Sequence, residues 1–228
     1  MEKKHLVLAS GSPRRKELLS QLGYEFSVLV TDVEECKHAQ ETAEEYVKRL
    51  SLDKALAALS LLKDNLSEKQ HVVPSSDNVV SSVDNVAVGS GIVALDSDGI
   101  SLDSETVVLG SDTVVVSQGQ VLEKPTDFAD SKRMLTQLAN ERHQVMTAVS
   151  VVSEEKQRTE IIITDVWFKP LSEQEIEQYW QTGEPCDKAG SYGIQGLGGR
   201  FVTRIEGSYY AVVGLPLYET DQLLQEFL

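Results

Sequence analysis

The opening of the chain combines hydroxyl and guanidinium side chains at a junction that could bind phosphate. A short apolar run, Leu6–Ala9, is followed by Ser10 and Ser12 around a glycine, and then by Arg14 and Arg15. The pattern predicts a buried strand, a turn and a helix N-terminus, whose free N–H groups and dipole favour an anion. The same residues also suit an ordinary helix start with two solvated arginines, and the spacing alone does not separate these interpretations.

A single carboxylate, that of Asp112, interrupts the β-branched run 106–116. Burial of an unpaired carboxylate is costly, so Asp112 is predicted to point into a cleft, as a metal ligand or a general base. The alternative is an aspartate at a strand end that accepts a hydrogen bond from a neighbouring backbone N–H. Glu34 and Glu35, in an acidic loop, could complete an oxygen-rich Mg²⁺ site with Asp112, although a solvated acidic turn would have the same residues.

Two lysines and a glycine-rich segment are weaker candidates. Lys124 follows a short strand that is expected to pair with the Asp112 strand, where it could contact a phosphate, but Glu-Lys-Pro is also common in turns. Lys54 lies late in a predicted helix, where most lysines are solvated. Five glycines within residues 190–199 suit a loop that approaches a ligand closely, and the Gln195 amide could bind a nucleobase edge. A flexible connector would explain the same glycines.

Several function classes are disfavoured. The net charge of −15 argues against nucleic-acid binding. The four histidines lack zinc-ligand spacing, and no Gly-x-Ser-x-Gly elbow is present. Cys36 and Cys186 are predicted to be separate reduced thiols. Without a signal-peptide core or an apolar membrane span, we expect a soluble, cytoplasmic protein with no membrane partner.

The elements that must position these residues alternate unevenly between strand and helix, which predicts an α/β fold with a mixed sheet. Capping boxes are predicted at Thr42 and Ser172. The helix after Thr42 is expected to end near Leu62. Near the C-terminus, Gly207-Ser208 predicts a hairpin turn between two strands, 201–205 and 209–213.

Residues 64–105 differ in composition from the rest of the chain. Eight acids stand against one lysine, and Ser, Val, Asn and Gly fill most of the remainder without any Phe, Tyr or Trp. Such a segment buries little apolar surface to offset its ordering entropy. We therefore expect a surface insertion that is flexible or weakly β-paired, with a valine hairpin as the alternative.

Together these segments resemble the Maf family of nucleotide pyrophosphatases, in its dTTP/UTP pyrophosphatase branch. The resemblance covers nearly the whole chain except 64–105, and rests on motifs that occur in one order: Ala-Ser-Gly-Ser-Pro-Arg-Arg (9–15), Glu-Glu (34–35), Asp-Lys-Ala (53–55), Gly-Ser-Asp-Thr (110–113), Glu-Lys-Pro (123–125), His-Gln-Val-Met-Thr-Ala-Val (143–149), Asp-Lys-Ala-Gly-Ser-Tyr-Gly-Ile-Gln-Gly (187–196) and Gly-Ser-Tyr-Tyr-Ala-Val-Val-Gly-Leu-Pro (207–216).

The resemblance implies a single catalytic domain over residues 1–228, with a mixed twisted sheet flanked by helices, an elongated shape and a deep central cleft, as in Maf/Ham1-like folds. Related proteins are often homodimers, and they join the Lys54 and Asp112 positions by a shorter link than 64–105. The implied reaction is metal-dependent hydrolysis of a nucleoside triphosphate, dTTP or UTP, to the monophosphate and pyrophosphate, with Mg²⁺ or Mn²⁺ as the divalent cation.

The resemblance also implies roles for individual residues. Asp112 resembles the catalytic base and, with Glu35, the metal site, while Lys54 and Lys124 resemble catalytic lysines of the phosphate site. A second group is implied to bind the substrate. It comprises Ser10, Ser12 and Arg15 of the phosphate loop. It also comprises three positions that set substrate choice: Arg14, Thr113 and Gln195.

Two alternatives remain from the sequence. The first keeps the fold but changes the base, as in a Maf-type pyrophosphatase for methylated guanosine triphosphate. Gln195 within Gly-Ile-Gln-Gly favours the pyrimidine branch over this one. The second is a nucleotide-binding regulator of cell division with little catalysis, for which Asp112, Lys124 and Glu35 would have no evident use.

Overall fold

The computed structural model describes residues 4–70 and 106–228, so most of the expected insertion lies outside the described residues. Seven strands and six α-helices alternate along this part of the chain, with three short 3-10 helices near the C-terminus. The strands are β1 (His5–Ala9), β2 (Phe26–Val28), β3 (Thr106–Ser117), β4 (Gln120–Leu122), β5 (Arg142–Val152), β6 (Gln157–Phe168) and β7 (Val202–Glu206). The α-helices are α1 (Pro13–Gln21), α2 (Ala43–Gln70), α3 (Phe128–Leu138), α4 (Glu173–Gln181), α5 (Tyr209–Val213) and α6 (Leu217–Gln225). The 3-10 helices span Glu184–Asp187, Ala189–Ser191 and Leu197–Phe201.

All seven strands form one mixed sheet in the order β2-β1-β3-β5-β6-β7, with β4 paired to β3. β1 runs parallel to β2 and to β3, whereas the pairs of β3 with β5, β5 with β6 and β6 with β7 are antiparallel. The mixed α/β sheet predicted from the sequence is therefore confirmed.

β3 is paired along its length on one side but only at its two ends on the other. β5 pairs with it continuously from Val108 to Val116. On the opposite side, β1 pairs with residues 106–110 and β4 with residues 115–117. Within the described residues, this leaves the segment 111–114 without a strand partner on that side. A cleft opens at this gap, and Asp112 lies in the middle of it.

Helix α2 packs on one face of the sheet at the same level as the gap. The Ser51 hydroxyl donates to the Gly110 carbonyl at 3.3 Å and lies 2.8 Å from the Ser150 hydroxyl. A Cβ atom on Gly110 would lie 2.3 Å from the Ser51 carbonyl oxygen and 2.9 Å from the Ala55 nitrogen. Only glycine allows this approach, which brings Lys54 of the same helix turn over β3.

The opposite face of β3 packs against the other helices. Successive residues of a strand point to opposite faces. Val108 therefore belongs to the core cluster that includes Ala55 and Ala58 of α2, while Val107 and Leu109 belong to the cluster of α1 and α6. Consequently Asp112 and Thr113, which are neighbours in sequence, lie on opposite faces of the sheet beside the same cleft.

Two sequence expectations about element boundaries are wrong. α2 continues to Gln70 rather than ending near Leu62, because residues 64–70 contain no glycine or proline and include good helix formers. The expected strand 209–213 is helix α5: Ser208 accepts from the Ala211 N–H and so caps a helix where a hairpin was predicted.

Other local predictions hold. The Thr42 and Glu45 side chains each accept from the other's backbone N–H, and the same capping box joins Ser172 and Glu175. Cys36 and Cys186 are free and exposed, as predicted. In the described ranges, none of the helices is both long and apolar enough to span a membrane.

Candidate active site

The gap beside β3 opens into a cleft of about 750 Å³. It is lined by the β1–α1 loop, the middle of β3, one turn of α2, the start of the β4–α3 connection and the glycine-rich segment. Ten site residues singled out from the sequence line this one cleft: Ser10, Ser12, Arg14, Arg15, Glu35, Lys54, Asp112, Thr113, Lys124 and Gln195. Glu34 does not line it, so of the two adjacent acids only Glu35 belongs to the site.

Three charged side chains form what we call the acid wall: Glu35, Lys54 and Asp112. The Lys54 ammonium donates to Asp112 Oδ1 at 2.7 Å and lies 2.6 Å from Glu35 Oε1. Only 10% of the Asp112 side chain and 12% of the Lys54 side chain are exposed, so this pair is far less screened by water than a surface ion pair. Lys124 lies at the rim, 62% exposed, with its Nζ 3.7 Å from Glu35 Oε2.

Partial burial opposes ionisation of Glu35, but the hydrogen bond from Lys54 and the charges of Lys54, Lys124 and Arg15 outweigh it. Together they lower the pKa of Glu35 below its ordinary value. The carboxylate is therefore held ionised by neighbouring cations, as a ligand for a cation or for a water molecule requires.

The loop that carries Glu35 is tied to α2 by its backbone. The Tyr46 hydroxyl lies 2.9 Å from the Glu35 carbonyl oxygen and 3.1 Å from Glu123 Oε1. One turn further along α2, the Arg49 guanidinium donates to the Cys36 carbonyl and to both carboxylate oxygens of Glu41. Neither α2 residue was singled out from the sequence, yet together they determine where Glu35 lies.

The acid wall is the place where a divalent cation would fit. In the described ranges, no group of three His, Cys, Asp or Glu side chains could hold a metal by itself. Mg²⁺, however, commonly binds through one or two carboxylates and completes its shell with water and substrate phosphates. Glu35 and Asp112, both in contact with one ammonium, supply such a partial donor set.

Arg15 is fixed on the other side of β3 by three different elements. Its Nε donates to the Gly214 carbonyl at 2.9 Å, and its two terminal nitrogens lie 3.1 Å from Thr113 Oγ1 and 3.4 Å from Ser10 Oγ. Thr113 Oγ1 in turn lies 3.0 Å from Thr147 Oγ1. Burial lowers the pKa of Arg15, while nearby Asp112 and Glu35 partly offset this. The solvated arginine that the sequence left open is thus excluded for Arg15.

At the start of α1, the Ser12 hydroxyl is not used to cap the helix. The Ser12 N–H donates to Ser10 Oγ at 3.2 Å. Arg14 is more loosely held, with its NH1 3.8 Å from Asp187 Oδ2 and a third of its side chain exposed. An anion in the cleft would therefore meet one fixed and one adjustable guanidinium.

Known proteins are similar to this chain over nearly its whole length. A family model described as Maf-like protein matches residues 5–227. The chain belongs to the Maf family. A protein of Vibrio vulnificus named dTTP/UTP pyrophosphatase is 60% identical over 98% of both chains. A protein with the same name from Vibrio cholerae is 57% identical over 97% of both chains. Another, from Hahella chejuensis, is 42% identical over 99% of this chain and 93% of its own.

Membership of the Maf family confirms the resemblance drawn from the sequence, and the seven-stranded mixed sheet flanked by helices fits the expected fold. These relatives match over almost their full lengths, so the chain of the Vibrio vulnificus protein is nearly as long as this one.

The sequence singled out the glycines and Gln195 on a further side of this Maf cleft, but not the contacts that hold this side in place. We call residues 184–198 the loop wall. Glu184 accepts hydrogen bonds from the Tyr179 hydroxyl and from the N–H groups of Leu197 and Gly198, while the Lys188 ammonium donates to the Glu184 carbonyl. No pattern in the sequence indicates these contacts, because they depend on how three short 3-10 helices follow one another.

The loop wall is backed by buried aromatic rings. Tyr192, which lines the cleft, packs edge-to-face on His143 and Phe168, with ring centroids 5.5 and 4.7 Å away. The Tyr192 hydroxyl lies 2.9 Å from His143 Nε2. Burial lowers the pKa of His143 to about 4. His143 is therefore neutral at neutral pH and supports the cleft from behind.

Proposed function

We propose that this protein is a metal-dependent pyrophosphatase that hydrolyses dTTP and UTP to the nucleoside monophosphate and pyrophosphate. The observation that carries the proposal is the Lys54-bridged pair of carboxylates, Glu35 and Asp112, beside a fixed arginine in a cleft large enough for a nucleotide. It is supported by the names of relatives that are up to 60% identical over nearly their full lengths. Neither alternative from the sequence gains support from these names.

In the proposed reaction, Asp112 acts as the general base. Its Oδ1 is held by Lys54, which fixes the carboxylate at the gap in the sheet. Asp112 accepts a proton from water, the water oxygen forms a bond to the α-phosphorus, and the bond from that phosphorus to the bridging oxygen breaks. The electron pair leaves with pyrophosphate. Water attack with a positioned base typically gains ~10²–10⁴ in rate.

The cations of the cleft would bind the triphosphate and stabilise the leaving group. Arg15 is already oriented by Ser10, Thr113 and Gly214, so it loses little freedom when it binds a phosphate. Lys54 and Lys124 contribute charge on the other side, next to Glu35. Positive charge therefore lies on both faces of β3, which supports the proposal that a triphosphate binds in the cleft between them.

Glu35 and Asp112 would hold the divalent cation, Mg²⁺ or Mn²⁺. When bound, the cation supplies charge neutralisation for the phosphate oxygens. Since both carboxylates contact Lys54 in this structure, the lysine keeps the two acids together without a metal.

Substrate choice is proposed to rest on Arg14, Thr113 and Gln195, with Ser10 and Ser12 as donors to phosphate. Gln195 is exposed at the cleft, and its amide offers a donor and an acceptor for a pyrimidine edge.

Release of pyrophosphate from a panel of nucleoside triphosphates, with Mg²⁺, with Mn²⁺ and with a chelator, tests the proposal. We expect dTTP and UTP to be preferred and the chelator to abolish turnover. Preference for a methylated guanosine triphosphate would replace the substrate assignment. Nucleotide binding without metal-dependent turnover would overturn the enzymatic one in favour of a regulator.

We also propose that the protein acts in the cytoplasm, as a homodimer, on free nucleotides rather than on nucleic acid. The net charge of −15 supports the last point. Light scattering at several protein concentrations tests the dimer, and a monomer mass throughout would contradict it.

A further inference from the structure

The segment that presents Gln195 is fixed by an internal carboxylate rather than by regular secondary structure. Glu184 Oε1 accepts from the Tyr179 hydroxyl at 2.7 Å and from the Gly198 N–H at 3.0 Å. Glu184 Oε2 accepts from the Leu197 N–H at 2.8 Å. The Tyr179 hydroxyl also accepts from the Gly193 N–H at 3.0 Å. Gln195 thus lies between two anchored points, Gly193 and Leu197.

The fit around this carboxylate is tight. A Cβ atom on Gly196 would lie 2.4 Å from Glu184 Oε2, and one on Gly198 would lie 2.6 Å from the Tyr179 hydroxyl oxygen and 2.8 Å from the Gly193 carbonyl oxygen. A turn closed by the Gly196 N–H and the Gly193 carbonyl, 3.3 Å apart, places Ile194 and Gln195 at its two central positions. Ile194 packs against the core, so the backbone at Gln195 has little freedom.

The charge of Glu184 is suited to this role. Burial opposes its ionisation, but the N–H of Gly198, the hydroxyl of Tyr179 and the N–H of Leu197 outweigh burial and lower its pKa. A carboxylate is purely an acceptor, and three donors point at it. A glutamine at this position has the same shape, but its NH₂ group would face a hydrogen-bond donor or have to rotate away from the loop, and at least one of the three hydrogen bonds would be lost.

We propose that Glu184, together with Tyr179, is a positioning residue that determines nucleobase selectivity by holding Gln195 at a fixed place in the cleft. The proposal rests on the proposed function, since it deepens the account of how the same cleft chooses its base. Glu184 acts through Gln195 and need not touch the nucleotide. The acid wall is built separately, on β3, α2 and the loop that carries Glu35, so a change at Glu184 is expected to affect recognition and leave the hydrolytic step in place.

The test compares Glu184→Gln and Tyr179→Phe with wild type in steady-state kinetics on dTTP, UTP, CTP and GTP. We expect KM for dTTP to rise about tenfold, with kcat changed less than about threefold. The preference for dTTP over CTP, as a ratio of kcat/KM values, should fall about tenfold in Glu184→Gln. Tyr179→Phe should change KM and the preference in the same direction, because it removes one of the three donors to Glu184 and the acceptor of the Gly193 N–H.

Glu175→Gln is the matched control. Glu175 accepts from the Ser172 N–H in the capping box of α4, so its loss affects the stability of the helix that carries Tyr179 without removing any contact of Glu184. A purely structural role for Glu184 would give both variants lower stability and unchanged selectivity, and that result would overturn the proposal. So would a fall in kcat of the folded Glu184→Gln variant with unchanged KM.

Amide hydrogen exchange of residues 193–199 separates this proposal from the proposed function. Exchange should accelerate at Leu197 and Gly198 in Glu184→Gln, relative to both wild type and Glu175→Gln. If wild type hydrolyses none of the triphosphates, the function is wrong, but accelerated exchange would still support the anchoring. Unchanged exchange would overturn the anchoring, whatever the activity.

Discussion

The two walls of the cleft are held in place by different means. In the acid wall, Asp112 lies within a twelve-residue strand and Lys54 within a long helix, and the two elements are brought together by the glycine at position 110. In the loop wall, short 3-10 helices and turns are tied together by one carboxylate, that of Glu184. Regular hydrogen-bond ladders thus fix Asp112 and Lys54, and side chains of α2 hold the loop that carries Glu35. In the loop wall, individual side chains alone fix the segment that is proposed for recognition.

This difference has consequences for variation. A ladder spreads its stability over many equivalent bonds, so the position of Asp112 is insensitive to any single loop residue. An irregular segment depends on a few contacts, and loss of one can displace the residues between them. We therefore expect substitutions in the acid wall to affect kcat and substitutions in the loop wall to affect KM and selectivity.

The largest expected effect is that of Asp112→Asn. The amide keeps the shape of the side chain but cannot accept a proton, so turnover of dTTP should fall by ~10²–10⁴ while the protein folds normally. Stopped-flow pyrophosphate release measures turnover, and circular dichroism checks the fold. The control is Asp221→Asn, whose carboxylate accepts from Tyr24 away from the cleft. Turnover within a few-fold of wild type would remove Asp112 from the role of base.

Gly110→Ala tests whether the approach of α2 positions the acid wall. The new Cβ would lie 2.3 Å from the Ser51 carbonyl oxygen, so α2 must shift. We expect a loss of roughly 1–3 kcal/mol in the free energy of unfolding, as for other overpacked cores, and a fall in kcat. Urea unfolding and steady-state kinetics measure the two effects.

The matched control for this variant is Gly119→Ala. Gly119 has a φ of +75° in the turn before β4 and no atom within 4 Å of its hypothetical Cβ. This variant should lose stability through backbone strain and keep its kcat. If both variants are less stable than wild type and kcat falls in neither, the distance between α2 and β3 does not determine the rate of hydrolysis.

The sequence predicted the acid wall better than the loop wall, for a physical reason. A carboxylate inside a β-branched run is conspicuous because burial is costly, and this led to Asp112 without any structural information. The helix start that we propose binds phosphate was likewise visible from Ser10 to Arg15. Both signals are local, since they depend on residues that follow one another in the chain.

Contacts between distant or irregular segments could not be predicted in this way. Glu184 is unremarkable in sequence, and its three partners become apparent only in the folded loop. Tyr46 and Arg49 were not singled out from the sequence, although both hold the Glu35 loop. Helix α5 was mistaken for a strand because its apolar residues suit either structure, and the Ser208 cap decided between them.

The pH dependence of stability tests the packing behind the loop wall, because His143 supports that wall. Its pKa is about 4 in the folded protein, below the ordinary value of 6.5. The folded state therefore binds fewer protons than the unfolded state, and stability is full above about pH 6.5 and declines as the pH falls towards 4. We expect the free energy of unfolding to be about 2 kcal/mol lower at pH 5 than at pH 7 from this group.

Urea unfolding of His143→Gln at both pH values measures this contribution. Burial also lowers the pKa of His5, which acts in the same direction, so the relevant quantity is the part of the pH dependence that the variant removes. His38→Gln is the control, because His38 is exposed. An equally steep pH dependence in His143→Gln would exclude His143 as its source.

The smallest expected effect is that of removing the Thr113 hydroxyl, which links Arg15 to β3. Thr113→Ala leaves Arg15 with its bonds to Gly214 and Ser10. A single hydrogen bond to a charged group contributes roughly 1.5–3 kcal/mol at most, and the remaining bonds retain part of it. We therefore expect KM for dTTP to rise about three- to tenfold with kcat nearly unchanged, whereas Thr113→Ser, which keeps the hydroxyl, should match wild type. Thr113 adjoins Asp112 on the same strand, so this variant tests whether the two faces of β3 act separately. A fall in kcat with unchanged KM would show that they do not, and that hydrolysis and substrate binding are not divided between them.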